Sequence, residues 1–191
     1  MRAFEIDKDL ILKTLEDADA PELFALVDRN RAYLRQWLPW LDSNTSVNNT
    51  LDFIKNVQLQ ENNGLGFQTG IWFRGKIAGV IGFHPIDWMN RVVEIGYWLG
   101  AEYQGHGLVT RACRQLVAYA FDDFQLRRVQ IRCAKGNRKS CAIIERLGFV
   151  LEGIARSAEL LYGRSVDLYV YGMTDVEWKA LQTHQPLQRS I

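Results

Sequence analysis

Apolar runs separated by short polar or glycine-containing segments divide this chain into alternating strands and helices. The apolar run at residues 10–16 predicts a first strand, and Asp19 with Pro21 forms a signal that begins a helix. A second short helix is predicted at about 31–38. The polar segment 42–50 predicts a loop before a third helix, whose apolar residues are Leu51, Phe53, Ile54 and Val57.

The second half of the chain is richer in strand-like runs. Residues 66–73 and 76–83 are joined across Arg74 and Gly75, which is typical of a β-hairpin. Because the later elements continue the alternation, helices must cover the faces of a mixed sheet, and the pattern predicts an α/β fold. Those later elements are strands at 92–99, 128–134, 149–156 and 166–173, with a helix at 137–147.

A turn with two glycines follows the strand at 92–99. Gly105 and Gly107 leave room for backbone N–H groups to approach an anion, and the helix that begins near Gly107 adds the positive end of its dipole. The turn therefore predicts a phosphate site. It fits neither a dinucleotide fingerprint, which needs a glycine at Thr110, nor a P-loop, which needs Gly-Lys-Ser/Thr. The alternative is a turn that binds nothing, since many strand-to-helix turns contain glycine.

Two motifs together resemble the GNAT superfamily of acyl-CoA-dependent N-acetyltransferases. Its pyrophosphate loop reads Gln/Arg-x-x-Gly-x-Gly/Ala, and here Gln104, Gly107 and Val109 stand at those positions, with Val109 replacing the final small residue. The segment 137–140, Asn-Arg-Lys-Ser, and the Leu-Gly-Phe at 147–149 resemble the family's Asn-x-x-Ser and Gly-Phe motifs.

Residues 37–40 and 94–98 extend the resemblance to the RimJ/RimL-like branch of that family, which is known for acetylating the N-termini of ribosomal proteins. The resemblance spans roughly residues 10–180 of a single domain over residues 1–191. It implies acetyl-CoA as co-substrate and a primary amine as acceptor, most readily the N-terminal α-amine of a ribosomal protein. A homodimer is also plausible from the family.

The resemblance implies a mixed, mostly antiparallel sheet with helices on both faces and a V-shaped splay between the strands at 94–99 and 128–134. Acetyl-CoA is expected in this splay, with its pantetheine arm along the first strand and its pyrophosphate on the amides of residues 105–110. The implied cofactor-binding residues are Tyr97, Trp98, Leu99, Gln104, Gly105, His106, Gly107, Leu108, Val109, Thr110, Asn137, Lys139 and Ser140.

The chemistry implied is direct attack of a neutral amine on the thioester. An α-amino group, with a pKa of about 7.7–8.0 against about 10.4 for Lys, needs less help from a base. Glu94 is the candidate base, and a solvated carboxylate at the strand edge is the alternative. Ser140 is the candidate donor to the departing thiolate, and a helix cap formed with Asn137 is the alternative. By analogy, the N–H of Trp98 polarises the thioester oxygen.

The residues that bind the acceptor carry weaker signals in the sequence. Trp37 and Trp40 stand where the family places part of its acceptor wall, although aromatic residues there are more often core. His84 either faces the acceptor or ends its strand without further role. Residues 162–167 predict a hairpin turn that borders the acceptor site or a subunit contact.

Composition and charge bear mainly on partners. The chain has 191 residues, and its 23 Lys and Arg nearly balance its 22 Asp and Glu, so nothing favours binding to nucleic acid or an anionic membrane. The absence of an apolar run of about 18 residues and of a signal peptide predicts a cytosolic protein. Arg138 and Lys139 are candidates for the CoA phosphates, whereas a solvated face is predicted for the basic residues Arg127, Arg128, Arg132 and Lys135.

The cysteines and histidines suggest no metal centre. Three cysteines without a C-x-x-C pair suit a reducing compartment and predict small buried apolar side chains at Cys113, Cys133 and Cys141. The histidines are isolated, so no zinc site is predicted, and His106 is expected to contribute its backbone rather than its ring.

Two alternatives to the protein-acetylating enzyme stay open. The first is an acetyltransferase of small amines such as polyamines or antibiotics. The second is a non-catalytic acyl-CoA-binding module, which would keep the turn at Gln104–Thr110 without needing Glu94 or Ser140.

Overall fold

One eight-stranded sheet forms the centre of the structure, a computed structural model that describes residues 2–184. The strands are β1 (Ala3–Glu5), β2 (Leu10–Thr14), β3 (Gln68–Phe73), β4 (Lys76–Phe83), β5 (Val92–Leu99), β6 (Arg128–Ala134), β7 (Val150–Leu161) and β8 (Arg164–Thr174). The helices are α1 (Ala20–Arg29), α2 (Arg31–Leu34), α3 (Val47–Asn62), α4 (Leu108–Ala118), α5 (Arg138–Arg146) and α6 (Asp175–His184).

The strand order is β1-β2-β3-β4-β5-β6-β8-β7. Strands β5 and β6 run parallel, and the other neighbouring strands pair antiparallel. This confirms the predicted mixed, mostly antiparallel sheet.

The splay between the two central strands is also confirmed. Pairing between β5 and β6 ends at Glu94 and Gln130, although β5 continues to Leu99 and β6 to Ala134. The backbone edges of both strands are therefore open to each other beyond this point.

Helices cover both faces of the sheet, as predicted. On one face, α1 and α3 pack Leu23, Leu26 and Ile54 against Val80 of β4. On the other face, α4 and α5 form a larger apolar core with residues of β4, β5 and β6, including Leu116, Ile144, Ile81, Ile95 and Ile131. Side chains of β5 alternate between these two faces, so neighbouring residues of this strand point to opposite sides of the sheet.

Most element boundaries follow the apolar pattern, and the differences have local causes. Helix α3 begins before residue 50 because the hydroxyl of Ser46 accepts a hydrogen bond of 3.2 Å from the N–H of Asn49. Strand β7 extends well past residue 156, over a mostly exposed stretch that shows no alternation and contains register shifts. The apolar pattern missed the short edge strand β1 and helix α6.

No helix in residues 2–184 combines the length and apolar character needed to cross a lipid bilayer.

Candidate functional site

A cleft of about 1280 Å³ lies where β5 and β6 separate. It is lined from one side by the turn before α4 and the start of α5, and from the other by the α1–α3 segment and the β7–β8 hairpin. The structure brings nearly all of the sequence-predicted site residues to this cleft. Those that line it are Trp37, Trp40, His84, Glu94, Tyr97, Trp98, Leu99, Gln104, Gly105, Gly107, Leu108, Val109, Thr110, Asn137, Lys139 and Ser140.

His106 is the exception among the predicted residues, because it does not line the cleft. Its ring packs on Phe73 with 5.2 Å between centroids, and its carbonyl accepts a hydrogen bond from Arg111. Its ring and its carbonyl are therefore engaged away from the cleft, and a backbone contribution of His106 to the phosphate site stays a prediction.

The register of β5 decides which backbone groups face the cleft. The N–H of His84 donates to the carbonyl of Glu94, and the N–H of Gly100 donates to the carbonyl of Ala78. Since hydrogen-bonded pairs alternate along an antiparallel ladder, Trp98 pairs with Val80 in the same way. The amides of Tyr97 and Leu99 therefore face the cleft, and the prediction that the Trp98 N–H polarises the thioester is wrong.

The turn before α4 has the conformation that its glycines permit. Gly105 and Gly107 adopt positive φ angles of 82° and 66°, and no neighbouring atom lies within 4 Å of where a Cβ would stand on either. The first helical bond runs from the N–H of Arg111 to the carbonyl of Gly107. The amides of Leu108, Val109 and Thr110 therefore have no helical partner, as an anion site requires.

Ser140 is held from two sides at the start of α5. Its N–H donates to Oδ1 of Asn137 at 3.2 Å, so Asn137 caps the helix as the alternative proposed. Its hydroxyl lies 2.9 Å from the hydroxyl of Tyr97, which extends from β5. Burial raises the pKa of Tyr97, so this phenol stays protonated and can donate to Oγ of Ser140. The hydrogen of Ser140 is then free to point into the cleft.

A second polar contact joins α5 to the turn before α4. Nζ of Lys139, on α5, donates to Oε1 of Gln104 at 2.7 Å. This contact places a cation beside the unpaired amides. An anion on those amides would be attracted by both groups.

Glu94 lies at the residue where the two central strands part. Nε of Arg132 donates to both of its carboxylate oxygens, at 3.0 and 2.9 Å, and Gln130 donates at 3.3 Å. Arg132 is exposed, as predicted for a solvated face, but it also forms an ion pair with this residue of the cleft. Arg132 alternates along β6 with the buried Ile131 and Cys133, so it faces the side of the sheet that carries Glu94. A second residue of that group, Arg128, is also paired, with Glu152.

Glu159 is a second carboxylate that sequence reasoning missed. It lies on β7, lines the cleft, and forms no hydrogen bond or ion pair within residues 2–184. Burial raises its pKa, with a further rise from Glu94 and an opposing effect from Arg132. Two carboxylates and one guanidinium thus share this part of the cleft. No sequence signal placed Glu159 there, because β7 is distant along the chain and its alternation is irregular.

Aromatic side chains form another wall of the cleft. Trp40 packs on Trp98 with 6.0 Å between ring centroids, and Trp37 and Phe53 line the same space. The ring of His84 covers Gly96, where an added Cβ would lie 2.6 Å from Nε2. Both tryptophans and His84 therefore border the cleft.

The β7–β8 hairpin closes this side of the cleft. The hydroxyl of Tyr162, at the hairpin turn, donates to the carbonyl of Leu38 at 2.7 Å and accepts from the N–H of Leu41 at 3.1 Å. The guanidinium of Arg35 stacks on its ring at 3.7 Å. The predicted turn at 162–167 is confined to Tyr162 and Gly163, because β8 already begins at Arg164, and it contacts the 38–41 segment at the edge of the cleft.

The cysteines differ in part from the prediction. Cys113 is a fully buried thiol, and burial raises its pKa. Cys133 of β6 and Cys141 of α5 are also buried, but they are paired as a disulfide, with Cα atoms 6.4 Å apart. The burial predicted for all three is confirmed, whereas the pairing of Cys133 with Cys141 was not predicted and arises because the turn after β6 folds α5 back against the strand.

No group of three or more His, Cys, Asp or Glu side chains within residues 2–184 is arranged to hold a metal ion.

Comparisons with known proteins agree with this geometry. Residues 9–150 match the acetyltransferase (GNAT) domain. The YdaF protein of Bacillus subtilis strain 168, provisionally named a ribosomal N-acetyltransferase, is 35% identical over 92% of this chain and 96% of its own length.

Two solved structures carry the same fold with ligands. The Microcin C7 self-immunity acetyltransferase MccE, in complex with acetyl-CoA and AMP, has a TM-score of 0.87 and 32% identity over 90% of this chain and 95% of its own. RimL, a ribosomal-protein α-N-acetyltransferase, has a TM-score of 0.87 and 29% identity over 91% of this chain and 98% of its own. That structure holds coenzyme A as a disulfide with a cysteine of RimL.

Three findings point to the same family. They are the splayed sheet, the unpaired amides before α4 and the match of the family model over most of the chain. An enzyme is thereby established, rather than a non-catalytic binding module. The chain belongs to the GNAT family and is an N-acetyltransferase that uses acetyl-CoA as its co-substrate.

Proposed function

We propose that this enzyme acetylates the N-terminal α-amine of a protein, with ribosomal proteins as the leading acceptors. The observation that carries the proposal is the group of Glu94, Arg132 and Glu159, all of which line the cleft. Its two carboxylates and one guanidinium leave a net negative charge, which suits an incoming ammonium group. The names of YdaF and RimL support an acceptor of this class.

The cofactor lies along β5 in this proposal. The amides and carbonyls of Tyr97 and Leu99 hydrogen-bond the pantetheine arm as an added strand would. The amides of Leu108, Val109 and Thr110 hold the pyrophosphate, and Lys139 adds a positive charge. The thioester sulfur then lies near Ser140, on the side of the sheet that Tyr97 faces.

The reaction needs three actions from the chain. The nitrogen of the acceptor attacks the thioester carbonyl, a C–N bond forms and the C–S bond breaks. Glu159, whose carboxylate has no other partner within residues 2–184, takes the proton from the amine, while Arg132 keeps Glu94 in place beside it. The hydroxyl of Ser140 donates a hydrogen bond to the departing sulfur. The hydroxyl of Tyr97 in turn donates to Oγ of Ser140. Glu94 is the alternative proton acceptor.

Turnover of acetyl-CoA, followed by thiol release, tests this function. The acceptors are peptides with free Ser, Ala or Met N-termini, matched peptides with a blocked N-terminus and an internal Lys, and the small amines spermidine and an aminoglycoside. We expect turnover on the free N-termini and none on the blocked peptides, because the α-amine loses its proton more readily than Lys. Turnover confined to Lys or to small amines would contradict the proposal.

A small amine that carries a nucleotide is the second candidate acceptor. MccE, which is 32% identical, holds AMP together with acetyl-CoA. In this chain, Trp37, Trp40 and Phe53 line the acceptor side of the cleft and offer flat apolar faces to a base. An aminoacyl nucleotide analogue added to the same panel decides between the two acceptors.

Adding a methyl group at Gly107 is expected to weaken CoA binding beyond its effect on stability. Gly107→Ala forces a residue with a side chain into the left-handed region and costs roughly 1–2 kcal/mol of unfolding free energy. The new methyl group also points into the space in which we place the phosphates. Urea unfolding and calorimetric titration with CoA measure the two effects.

Gly75→Ala is the matched control for this substitution. Gly75 has a positive φ of 79° and open space around it, but it lies at the β3–β4 turn, away from the cleft. We expect a similar loss of stability with no change in the Kd for CoA. Equal Kd values for the two variants would contradict the placement of the phosphates.

A further inference from the structure

A second, small cavity of about 70 Å³ lies between α4, α6 and the turn that follows α5. Helix α6 packs closely on that turn, since a Cβ on Gly148 would lie 2.8 Å from Cδ1 of Leu181. The proposed acetyl transfer does not involve this cavity. Its apolar lining is Val117, Leu147, Phe149, Met173 and Leu181, and its polar lining is Arg114, Arg146, Trp178 and Gln182.

The indole N–H of Trp178 is a buried donor without an acceptor. Trp178 is 7% exposed, and its Nε1 has no hydrogen-bond partner within residues 2–184. Buried polar groups in folded proteins are nearly always paired, with the protein itself or with a bound molecule. Because Nε1 is the only polar atom of this side chain and Trp178 lines the small cavity, we expect its acceptor to be a molecule bound there.

Two guanidinium groups give the small cavity a positive charge. Arg114 belongs to α4 and Arg146 to the last turn of α5. Neither takes part in an ion pair within residues 2–184. No Asp or Glu is among the described residues that line this cavity. Three donors, two of them charged, thus meet no carboxylate of the chain, which favours a bound anion held by charge-assisted hydrogen bonds.

We propose that the small cavity is a binding site for a short-chain carboxylate such as acetate or propionate. Its volume is a little more than twice the roughly 30 Å³ that a water molecule takes in the liquid, so a molecule of a few non-hydrogen atoms fits. The carboxylate oxygens accept from Trp178 and from the two arginines. The methyl or ethyl group contacts the apolar walls, which an inorganic anion would leave uncovered.

Proton–nitrogen NMR spectra of the tryptophan indole groups test the proposal on the full-length protein. We expect acetate and propionate to shift the Trp178 signal saturably, because its N–H gains an acceptor. Trp72 is the internal control, since its Nε1 is also buried and unpaired within residues 2–184, but it lines neither cavity. Acetamide, which has the size of acetate without its charge, should move neither signal.

Three results of these titrations would overturn the proposal. If no carboxylate shifts the Trp178 signal saturably, the small cavity is not a ligand site. If acetamide binds as tightly as acetate, the positive charge of the cavity does not select its ligand. If chloride or phosphate shifts the signal at lower concentration than propionate does, the site takes inorganic anions rather than carboxylates.

Arg114→Gln tests the role of the charge without altering the cleft. Arg114 lines only the small cavity, whereas Arg146 also lines the cleft. We expect the Kd for acetate to rise at least about tenfold, the effect of losing a hydrogen bond from a charged group, with kcat for acetyl transfer unchanged.

Arg127→Gln is the matched control for this substitution. Arg127 is an exposed arginine that lines neither cavity, so its loss should leave the Kd for acetate unchanged. An unchanged kcat shows that each variant is folded. An Arg114→Gln protein that keeps its kcat and also binds acetate with the parental Kd would contradict the proposed site.

Discussion

Glu159→Gln is expected to lower kcat by about 100-fold, which is the lower end of what a general base contributes. The amide keeps the size and position of the side chain but cannot accept the ammonium proton. The Kd for acetyl-CoA should stay the same, because Glu159 lies on β7, across the cleft from the amides that we assign to the cofactor. Steady-state kinetics with a free N-terminal peptide and calorimetry with acetyl-CoA measure the two quantities.

Glu152→Gln is the matched control on the same strand. Glu152 forms an ion pair with Arg128 and does not line the cleft, so its loss should leave kcat unchanged. Glu94→Gln tests the alternative base. It removes an acceptor for Arg132 and should raise the KM of the acceptor more than it lowers kcat. If Glu94→Gln abolishes kcat while Glu159→Gln does not, Glu94 is the base.

The pH profile of kcat gives an independent test of Glu159. Burial raises the pKa of this carboxyl, so it becomes protonated, and unable to accept a proton, at pH values where an exposed Glu is still ionised. The kcat of the parent enzyme should therefore fall as the pH decreases through this raised pKa. In Glu159→Gln this decrease of kcat at low pH should disappear. The remaining pH dependence of kcat should then be that of the acceptor amine. A decrease that persists in the variant would assign the proton transfer to another group.

Ser140→Ala is expected to lower kcat by roughly 10- to 100-fold, the effect of removing a hydrogen bond to a charged group. The departing thiolate then has no hydroxyl donor. The effect should be smaller than that of Glu159→Gln, because a thiol with a pKa of about 8.5 leaves readily without full protonation. Retained CoA affinity is part of the prediction, since the backbone of β5 and the amides before α4 are untouched.

Tyr97→Phe separates the catalytic role of Ser140 from its role in the fold. Tyr97 should affect the reaction only through the 2.9 Å contact between the two hydroxyls, so Tyr97→Phe should lower kcat about three- to tenfold, with KM unchanged. In the Ser140→Ala background the same change should have no further effect on kcat. Additive losses in the double variant would show that the two hydroxyls act independently.

Much of the fold could be predicted from local patterns. The strands at β5 and β6 were predicted with their observed boundaries, because each is an apolar run between clear turn signals. The turn before α4 was predicted because Gly105 and Gly107 favour left-handed backbone and sit directly before a helix. The exposed half of β7 could not be predicted in this way, since its conformation depends on pairing with β8 rather than on a buried face.

The chain by itself determined the fold class, the position of the glycine turn before α4, and Glu94 and Ser140 as residues of the cleft, because each depends on motifs contained in a short segment. Only the tertiary structure decided what surrounds them. Glu159 and Arg132 lie beside Glu94 because strands β5, β6 and β7 meet at the splay. Helix α5 packs there too, so the hydroxyl of Tyr97 contacts Ser140 and Cys133 pairs with Cys141. Even the direction of the Trp98 amide was decided by its pairing with β4, since a ladder assigns each N–H to one edge of the strand.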